Sequence, residues 1–287
     1  MSASKPVPER SHRGPEGDAA PADTTQSLAG RTLWRSPRAA NERAWWAVIS
    51  LSAFIALWQL VGANVDPVFL STPWNIVKAV PKVMERDLFA LYGITMGVYL
   101  GSVSIAVVLG ALTGLACGMN ASFDQFSRPV VAMCYSTPTI VTIPILVIWF
   151  GDGLLPGVVL VFIAAYFPML FNTQLGVREV GPDMLELGTA FGATRSEMIA
   201  KIIVPSLLPY AFSGLKIAIP RGFIAVIAAE MLITGRGTGS LVLYYGDAFQ
   251  TDRFFVPVIL LTITAYLISE ALHATESHFM PWRFTRE

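Results

Sequence analysis

Residues 181–205, GPDMLELGTAFGATRSEMIAKIIVP, connect two long apolar segments and have more internal pattern than an ordinary loop. Gly181-Pro182 is typical of a helix start, because proline fits the first helical turn. The apolar residues that follow share one helix face at spacings of three and four: Met184, Leu187 and Phe191. Gly192 is predicted to end that helix. The first half of the segment is therefore predicted to be a short helix closed by a glycine turn.

The second half of the same segment has a helix start of its own. Thr194 and Glu197 have the spacing of a capping box, in which each side chain accepts a hydrogen bond from the other's backbone N–H. The apolar residues that follow on one side are Ile199, Ile202 and Ile203. Pro205 is predicted to limit this helix, because an internal proline removes a backbone hydrogen bond. The whole segment predicts a helix–turn–helix whose apolar face needs a partner.

Outside this segment the chain is dominated by six apolar stretches of about 18–25 residues, long enough to cross a hydrocarbon layer of ~30 Å as helices. The predicted spans are Ala44–Val61, Ile94–Gly118, Val130–Phe150, Leu154–Leu175, Ala211–Thr234 and Phe254–Leu272. Of the 287 residues, 54% are hydrophobic and 14% are charged, whereas a soluble domain has roughly 25% charged residues. The sequence therefore predicts an all-α membrane protein with six transmembrane helices.

The composition also argues against several kinds of site. The net charge is zero, with 20 basic and 20 acidic residues, so no broad basic field is available to bind nucleic acid. Cys117 and Cys134 have no CxxC spacing, and the three histidines have no metal-binding spacing. We expect neither a disulfide framework nor a metal site.

Residues 1–43 are polar and predict a disordered cytoplasmic tail in front of a membrane domain of residues 44–287. With that tail in the cytoplasm, the segments on its side of the membrane hold thirteen lysines and arginines, and those on the other side hold five. This bias predicts that both termini are cytoplasmic. The connection of residues 176–209 is then cytoplasmic as well.

Glycines and prolines distinguish the spans that pack closely from those that bend. The second span has small residues at repeated steps of four, which let a neighbouring helix backbone approach. They are Gly97, Gly101, Gly110, Gly114 and Gly118. Prolines in the third and fourth spans predict kinks, which suit helices that line a pathway and also occur in plain bundles. They are Pro138, Pro144, Pro156 and Pro168.

Residues 72–86, between the first two spans, predict an amphipathic helix along the outer surface. Thr72 can cap this helix and Pro73 fits its first position.

The fifth span contains three ionisable residues: Lys216, Arg221 and Glu230. Lys216 lies near the cytoplasmic end, where its side chain can extend to the interface. Arg221 lies near mid-span, where an arginine costs about 2.5–3.5 kcal/mol and needs a partner or a wet cavity. A helix broken at Pro220 beside this cation would suit an anionic substrate, and the alternative is that Arg221 satisfies freed carbonyls or a neighbouring carboxylate. Glu230, near the outer end, either binds another span's backbone or shapes a gate.

The segment Gly235-Arg236-Gly237-Thr238-Gly239 predicts a flexible external turn. It lacks the Gly-Lys-Ser/Thr that completes a phosphate-binding loop. No full Walker sequence occurs in the chain, so any ATP hydrolysis must be supplied by another subunit.

The residues Glu186-Leu187-Gly188, Gly192, Ile202 and Val204-Pro205 resemble the EAA motif, E-A-A-x3-G-x9-I-x-L-P, of permease subunits of binding-protein-dependent ABC importers. Both spacings match, with Leu187 and Gly188 in place of the two alanines and Val204 in place of leucine. The resemblance extends over residues 44–285 and favours the branch associated with nitrate, sulfonate and taurine. The flanking segments that resemble this branch are Ser71-Thr72-Pro73, Phe150-Gly151-Asp152-Gly153, Phe167-Pro168 with Asn172, Gly214-Leu215-Lys216 and Ala229-Glu230-Met231.

This resemblance implies a type I ABC importer permease with a cytoplasmic EAA coupling loop, in the inner membrane of a bacterium. It implies import of a small anionic solute such as a sulfonate or nitrate. The implied partners are a cytoplasmic ABC ATPase, which hydrolyses ATP with Mg²⁺, an extracytoplasmic solute-binding protein, a second permease copy in a homodimer, and membrane lipid. The chain itself is then no enzyme and needs no cofactor. The residues assigned to ATPase coupling are Glu186, Gly188, Gly192, Arg195, Ile202 and Pro205.

Two other classes of protein were weighed against this one. A secondary transporter or channel would act without an ATPase, but the chain has no evident internal repeat and a cytoplasmic helix–turn–helix has no obvious role there. Co-purification with an ATPase distinguishes the two classes. A membrane enzyme would need paired catalytic groups, and no Ser/His/Asp or His/Glu metal set occurs at a useful spacing.

Overall fold

The computed structural model describes residues 37–280, with side chains from Trp45 onward. Residues 1–36 of the predicted tail lie outside the described residues, so the tail and the domain division remain predictions. The chain divides between Ala56 and Leu57 into two units. The packing described below is that of the second unit.

The secondary structure within residues 37–280 is helical. In chain order the α-helices are α1 (Pro37–Ala63), α2 (Pro73–Met84), α3 (Leu88–Met119), α4 (Ala121–Ser136), α5 (Ile143–Phe150), α6 (Leu155–Arg178), α7 (Pro182–Ala190), α8 (Arg195–Met198), α9 (Val204–Ala229), α10 (Thr238–Asp247) and α11 (Thr251–Phe279). A 3₁₀ turn, Thr139–Thr142, precedes α5, and π-helical turns at Ile199–Ile203 and Glu230–Thr234 flank α9.

Long apolar helices supply the membrane spans. In the described part of the chain, five helices are long and apolar enough to cross a membrane, and there are six spans if α4 and Thr139–Phe150 form one bent span. The predicted spans are present with shifted bounds; the second, for example, begins at Leu88 instead of Ile94. The helical membrane architecture predicted from sequence is confirmed.

Helices α3, α6 and α9 pack side by side and form the main core of the second unit. Glycines of α3 make this packing close: a Cβ on Gly114 would lie 2.5 Å from the carbonyl oxygen of Leu170 on α6. A Cβ on Gly97 or Gly101 would meet nothing within 4 Å. The predicted glycine face therefore packs against α6 only in its second half, which includes Gly110, Gly114 and Gly118.

The third predicted span is broken. Helix α4 ends at Ser136, and the chain bends by 91° before continuing as Thr139–Phe150. Thr137 has extended backbone angles, the conformation that a following proline favours, here Pro138. Pro168 in α6 and Pro220 in α9 leave their helices uninterrupted. The two remaining prolines start helices instead of kinking them: Pro144 in α5 and Pro156 in α6.

The predicted amphipathic helix between the first two spans is α2. Thr72 caps it by accepting a hydrogen bond from the Asn75 N–H at 3.3 Å. The buried face of α2 packs against α3, α10 and α11. That face consists of Ile76, Ala79 and Val83. It therefore contacts protein, while the opposite face exposes Trp74 and Val77.

Candidate functional site

The helix–turn–helix predicted between the fourth and fifth spans is present, and we refer to residues 181–203 as the knob. Its first helix, α7, has Pro182 in its first turn and crosses the second helix at Gly188, which is buried. A Cβ on Gly188 would lie 2.7 Å from Met198 Sδ and 2.9 Å from Ile202 Cδ1. The motif position occupied by Gly188 is thus a packing contact that admits only a very small residue.

Gly192 closes the first helix of the knob in a Schellman motif. The Ala193 N–H donates to the Gly188 carbonyl at 3.0 Å, and the Gly192 N–H donates to the Thr189 carbonyl at 2.9 Å. Gly192 has φ of +73°, which L side chains rarely adopt. The glycine turn predicted from sequence is therefore present, and its backbone conformation favours glycine.

The second helix of the knob starts with the predicted capping box. Thr194 Oγ1 accepts from the Glu197 N–H at 3.3 Å, and Glu197 Oε2 accepts from the Thr194 N–H at 3.0 Å. Lys201 Nζ lies 2.9 Å from Glu197 Oε1, one turn further along. These contacts hold the turn and both helices in one arrangement.

The prediction that Pro205 limits the second helix is wrong. The helix passes through Pro205 and is continuous over Arg195–Thr234, a length of 40 residues. Ile199–Ile203 is π-helical, and the Val204 N–H donates to the Ile199 carbonyl five residues back. This wider turn accommodates the proline ring and its missing N–H. The second helix of the knob is consequently continuous with the fifth span.

One face of the knob is apolar and unpacked. Phe191 is 84% exposed, Leu187 is 54% exposed and Met184 is 52% exposed. These side chains border a groove of about 500 Å³ between the two knob helices. Glu186 and Arg195 are exposed on either side of the turn. An exposed apolar patch with charged residues nearby has the character of a protein-docking surface.

Lys216, predicted to extend its side chain toward the interface, forms an ion pair instead. Its Nζ lies 2.5 Å from Oε2 of Glu276, a carboxylate that is 1% exposed near the end of α11. His273 Nδ1 lies 3.9 Å from the same oxygen. The pair connects the fifth span to α11.

Arg221 is exposed on α9. At a rise of 1.5 Å per residue it lies roughly 20 Å along the helix from Thr234, where the fifth span ends. Its Nη1 donates to the Tyr135 hydroxyl at 3.5 Å, and its guanidinium carbon lies 5.8 Å from the centre of the Tyr135 ring. A cavity of about 250 Å³ beside it is also lined by Thr139 and Leu160. The helix break predicted at Pro220 is absent, because α9 is continuous there. The break that lies beside Arg221 is the bend of the third span.

Glu230 is buried, 3% exposed, and its Oε2 accepts from the Gly239 N–H at 2.8 Å. The sequence leaves open a contact with another span's backbone or a role in a gate, whereas the backbone group bound here belongs to the short helix α10. The segment predicted to be a flexible turn is packed: the Thr238 N–H donates to Thr95 Oγ1 at 2.9 Å, and Gly237 has φ of +96°. The carboxylate thus ties the end of the fifth span to the start of α10.

Several residues that form ion pairs or hydrogen bonds in the structure were not predicted from the sequence. Asp124, 6% exposed, lies 2.6 Å from Arg178 Nη2 and 3.0 Å from Arg128 Nη2. The spacing of Asp124 and Arg128 at i and i+4 could have indicated that pair. Tyr135 and Glu276 belong to other helices than their partners, and no local pattern connects them.

This fold and knob define a class of protein: the membrane-embedded permeases of solute transport. Residues 106–275 match the family of binding-protein-dependent transport system inner membrane components, and the chain belongs to that family. It is the permease component of an ABC importer, in the nitrate, sulfonate and taurine branch, and not the ATPase. In this family ATP is hydrolysed by a separate subunit.

Known relatives agree with this assignment. The chain is 24% identical over 260 residues to the taurine transport system permease protein TauC of Escherichia coli (strain K12), covering 88% of this chain and 94% of the relative. It is 28% identical over 207 residues to the nitrate import permease protein NrtB of Synechococcus elongatus, covering 68% and 74%. The inward-facing MetNI methionine ABC transporter has the same fold, with a TM-score of 0.59 at 20% identity, covering 68% of this chain and 97% of that chain.

Proposed function

We propose that two copies of this chain form the translocation path of an importer for a small anionic solute such as a sulfonate or nitrate. In this proposal residues 1–43 are a cytoplasmic tail, residues 44–287 are the permease domain and residues 176–209 form the coupling loop. An extracytoplasmic binding protein delivers the solute, and ABC ATPase subunits drive import. Lipid surrounds the spans.

The observation on which the proposal rests is the apolar face of the knob. Phe191, Leu187 and Met184 are exposed on α7 and the turn after it, which pack at Gly188 against a helix that is continuous with the fifth span. In this role Glu186 and Arg195 set the register of the docked ATPase, where charged residues mainly give specificity. Gly188 and Gly192 fix the shape of the knob. Ile202 and Pro205 belong to the helix through which movement of the ATPase reaches the spans.

The distribution of charge supports the proposed orientation in the inner membrane. Thirteen lysines and arginines against five favour a cytoplasmic position for both termini and the knob. A cytoplasmic knob is also the arrangement that docking of a nucleotide-hydrolysing subunit requires.

Arg221 supports an anionic solute. An arginine facing lipid near mid-span is unfavourable by about 2.5–3.5 kcal/mol, so the exposed face of α9 at Arg221 belongs next to water or a second copy. Taurine and nitrate, for which two relatives are named, each contain an oxyanion group. A guanidinium binds such groups through several N–H donors at once.

The docking proposal is tested by purifying the tagged chain from its native membrane and measuring co-purified ATPase activity. The double substitution Leu187→Ala and Phe191→Ala should lower that activity by about tenfold or more, because exposed aromatic anchors dominate interfaces. Phe89→Ala is the matched control, since Phe89 is 64% exposed at the start of α3, away from the knob. Undiminished ATPase activity in the double variant would contradict the proposal.

Transport itself is measured in proteoliposomes with radiolabelled taurine and with nitrate. Import should require both the ATPase and the binding protein of the same importer. Import by the isolated chain would instead identify a secondary transporter or channel.

A further inference from the structure

We propose that the break in the third span completes the substrate station at Arg221. Tyr135 acts as a positioning residue for Arg221, and Thr139 contributes a hydroxyl that contacts the solute. This inference rests on the proposed function, because it assumes that Arg221 meets an anion.

The break brings two polar side chains of the third span to one place on the fifth. Tyr135 lies one residue before the end of α4, and Thr139 begins the 3₁₀ turn after the bend. Both line a small recess that also includes Arg221, and Thr139 and Arg221 line the larger cavity of about 250 Å³. An unbroken helix would separate residues 135 and 139 by one turn and direct both along the same face. The chain instead bends by 91° between these two residues, and both still line the recess that includes Arg221.

Tyr135 is also in contact with aromatic residues of α6. Its ring makes edge contacts with two residues of α6, with centroid distances of 5.9 Å to Phe167 and 5.0 Å to Phe171. Such aromatic pairs have a preferred geometry and restrict the ring. The guanidinium of Arg221 lies against this fixed ring and donates to its hydroxyl. Since the long arginine side chain has many rotamers, these two contacts select the one that faces the cavity.

The cavity has one polar end. The remaining wall is apolar and includes Leu160, Ala164 and Ala225. The hydrogen bond to Tyr135 uses one of the five N–H donors of a guanidinium. The other donors and the Thr139 hydroxyl are the groups that an oxyanion can bind at this end, and the small apolar residues leave it room to pass.

The test uses the complete importer in proteoliposomes, with the ATPase and binding protein of the same system and radiolabelled taurine and nitrate as probes. Tyr135→Phe keeps the ring and should reduce transport by only about two- to threefold. Tyr135→Leu removes both contacts to Arg221 and should reduce transport by about tenfold or more. The KM for the loaded binding protein should be unchanged in both, because docking takes place elsewhere, and the number of solutes imported per ATP should fall.

Tyr166→Phe is the matched control. Tyr166 belongs to the same aromatic group, contacting Phe167, but its hydroxyl donates to Thr113 at 3.0 Å. It should transport as the unmodified chain does, which separates loss of the hydroxyl that Arg221 contacts from loss of a tyrosine hydroxyl elsewhere in the aromatic group.

Thr139 is tested by accessibility. In a Cys134→Ala background, Thr139→Cys should react with a small charged thiol reagent, and the transported probe should slow that reaction by about threefold or more. This measurement remains decisive if Tyr135→Leu fails to fold.

The outcomes separate the two proposals. If Arg221→Gln transports normally, or if neither probe is imported, the anionic proposed function fails. If Arg221→Gln abolishes import while Tyr135→Leu retains full transport or Thr139→Cys shows no protection, the proposed function stands and this inference is overturned.

Discussion

Gly114 illustrates how one missing methyl group sets the distance between two spans. A Cβ there would lie 2.5 Å from a backbone oxygen, that of Leu170, which cannot move aside as a flexible side chain could. We expect Gly114→Ala to destabilise the protein by about 1–3 kcal/mol, as overpacking does. The thermal midpoint in detergent should fall by roughly 2–4 °C for each kcal/mol.

Gly101→Ala is the control for this prediction, because a Cβ at Gly101 meets nothing within 4 Å. Alanine favours a helix by up to about 1 kcal/mol over glycine, so the midpoint should stay constant or rise. Equal destabilisation by both substitutions would mean that α3 and α6 are not packed as described.

Glu230 is a second residue whose contacts predict how a substitution changes the stability of the protein. It accepts a hydrogen bond from the Gly239 N–H at the first turn of α10, where a helix offers unpaired donors. Glu230→Ala should leave that buried donor unsatisfied and destabilise the protein by about 1–3 kcal/mol. Glu230→Gln keeps an acceptor oxygen and should lose less. Thermal unfolding of both variants, with the exposed Glu270→Ala as control, checks this order; greater damage by glutamine than by alanine would contradict it.

At the scale of elements, Asp124 connects the start of α4 to the end of α6. Its contact with Arg178 reaches between helices at 2.6 Å, whereas its contact with Arg128 lies within α4. Both arginines are partly exposed, so solvent weakens each pair. A double-mutant cycle on unfolding should give about 1 kcal/mol for Asp124 with Arg178, and about 0.3–0.5 kcal/mol for Asp124 with Arg128, the usual value for an i,i+4 pair.

The substitutions for this cycle are Asp124→Asn, Arg178→Gln and Arg128→Gln. Because Arg178 is the last residue of α6, just before the knob, a clear coupling to it would mean that the knob is anchored at its base. If the coupling free energy of Asp124 with Arg178 is no larger than that with Arg128, the contact does not anchor the knob.

The elements were predictable where the pattern is local. The apolar spans, the Thr72 cap of α2, the Thr194 capping box and the turn at Gly192 all follow from residues within a few positions of one another. Prolines were harder to interpret. Pro138 follows an extended residue at a helix break, whereas Pro205 follows a π-helical turn in a helix that continues.

The candidate site depends on tertiary contacts between pairs of residues. The sequence identified only one residue of each pair. Arg221 was identifiable as a charge in an apolar span, but Tyr135 lies 86 positions earlier and reaches it only because of the bend. Lys216 was identifiable in the same way, whereas its partner Glu276 lies on another helix. Long-range pairs of this kind leave no periodic signal in the sequence.

At the scale of the whole molecule, the second helix of the knob, the fifth span and the turn at Glu230 form one continuous helix. The 40 residues of Arg195–Thr234 connect the proposed ATPase contact to the level of Arg221 and then to the start of α10. A displacement of the knob therefore moves Arg221 relative to Tyr135, which belongs to a different helix. Such rigid-body movement between packed states is how small shifts at one site reach another.

Everything proposed for the knob depends on which side of the membrane it faces, and this is directly measurable. The fifth span separates the knob from residues 235–250, so cysteines at the exposed positions 196 and 247 must lie on opposite sides. In a chain with Cys117→Ala and Cys134→Ala, we expect Asp247→Cys to react with an impermeant maleimide in intact cells. Ser196→Cys should react only after the membrane is opened, because the excess of basic residues keeps the knob in the cytoplasm. The cysteine-free chain gives the background. Labelling of Ser196→Cys in intact cells would place the apolar face of the knob outside, where no ATP-hydrolysing subunit could reach it.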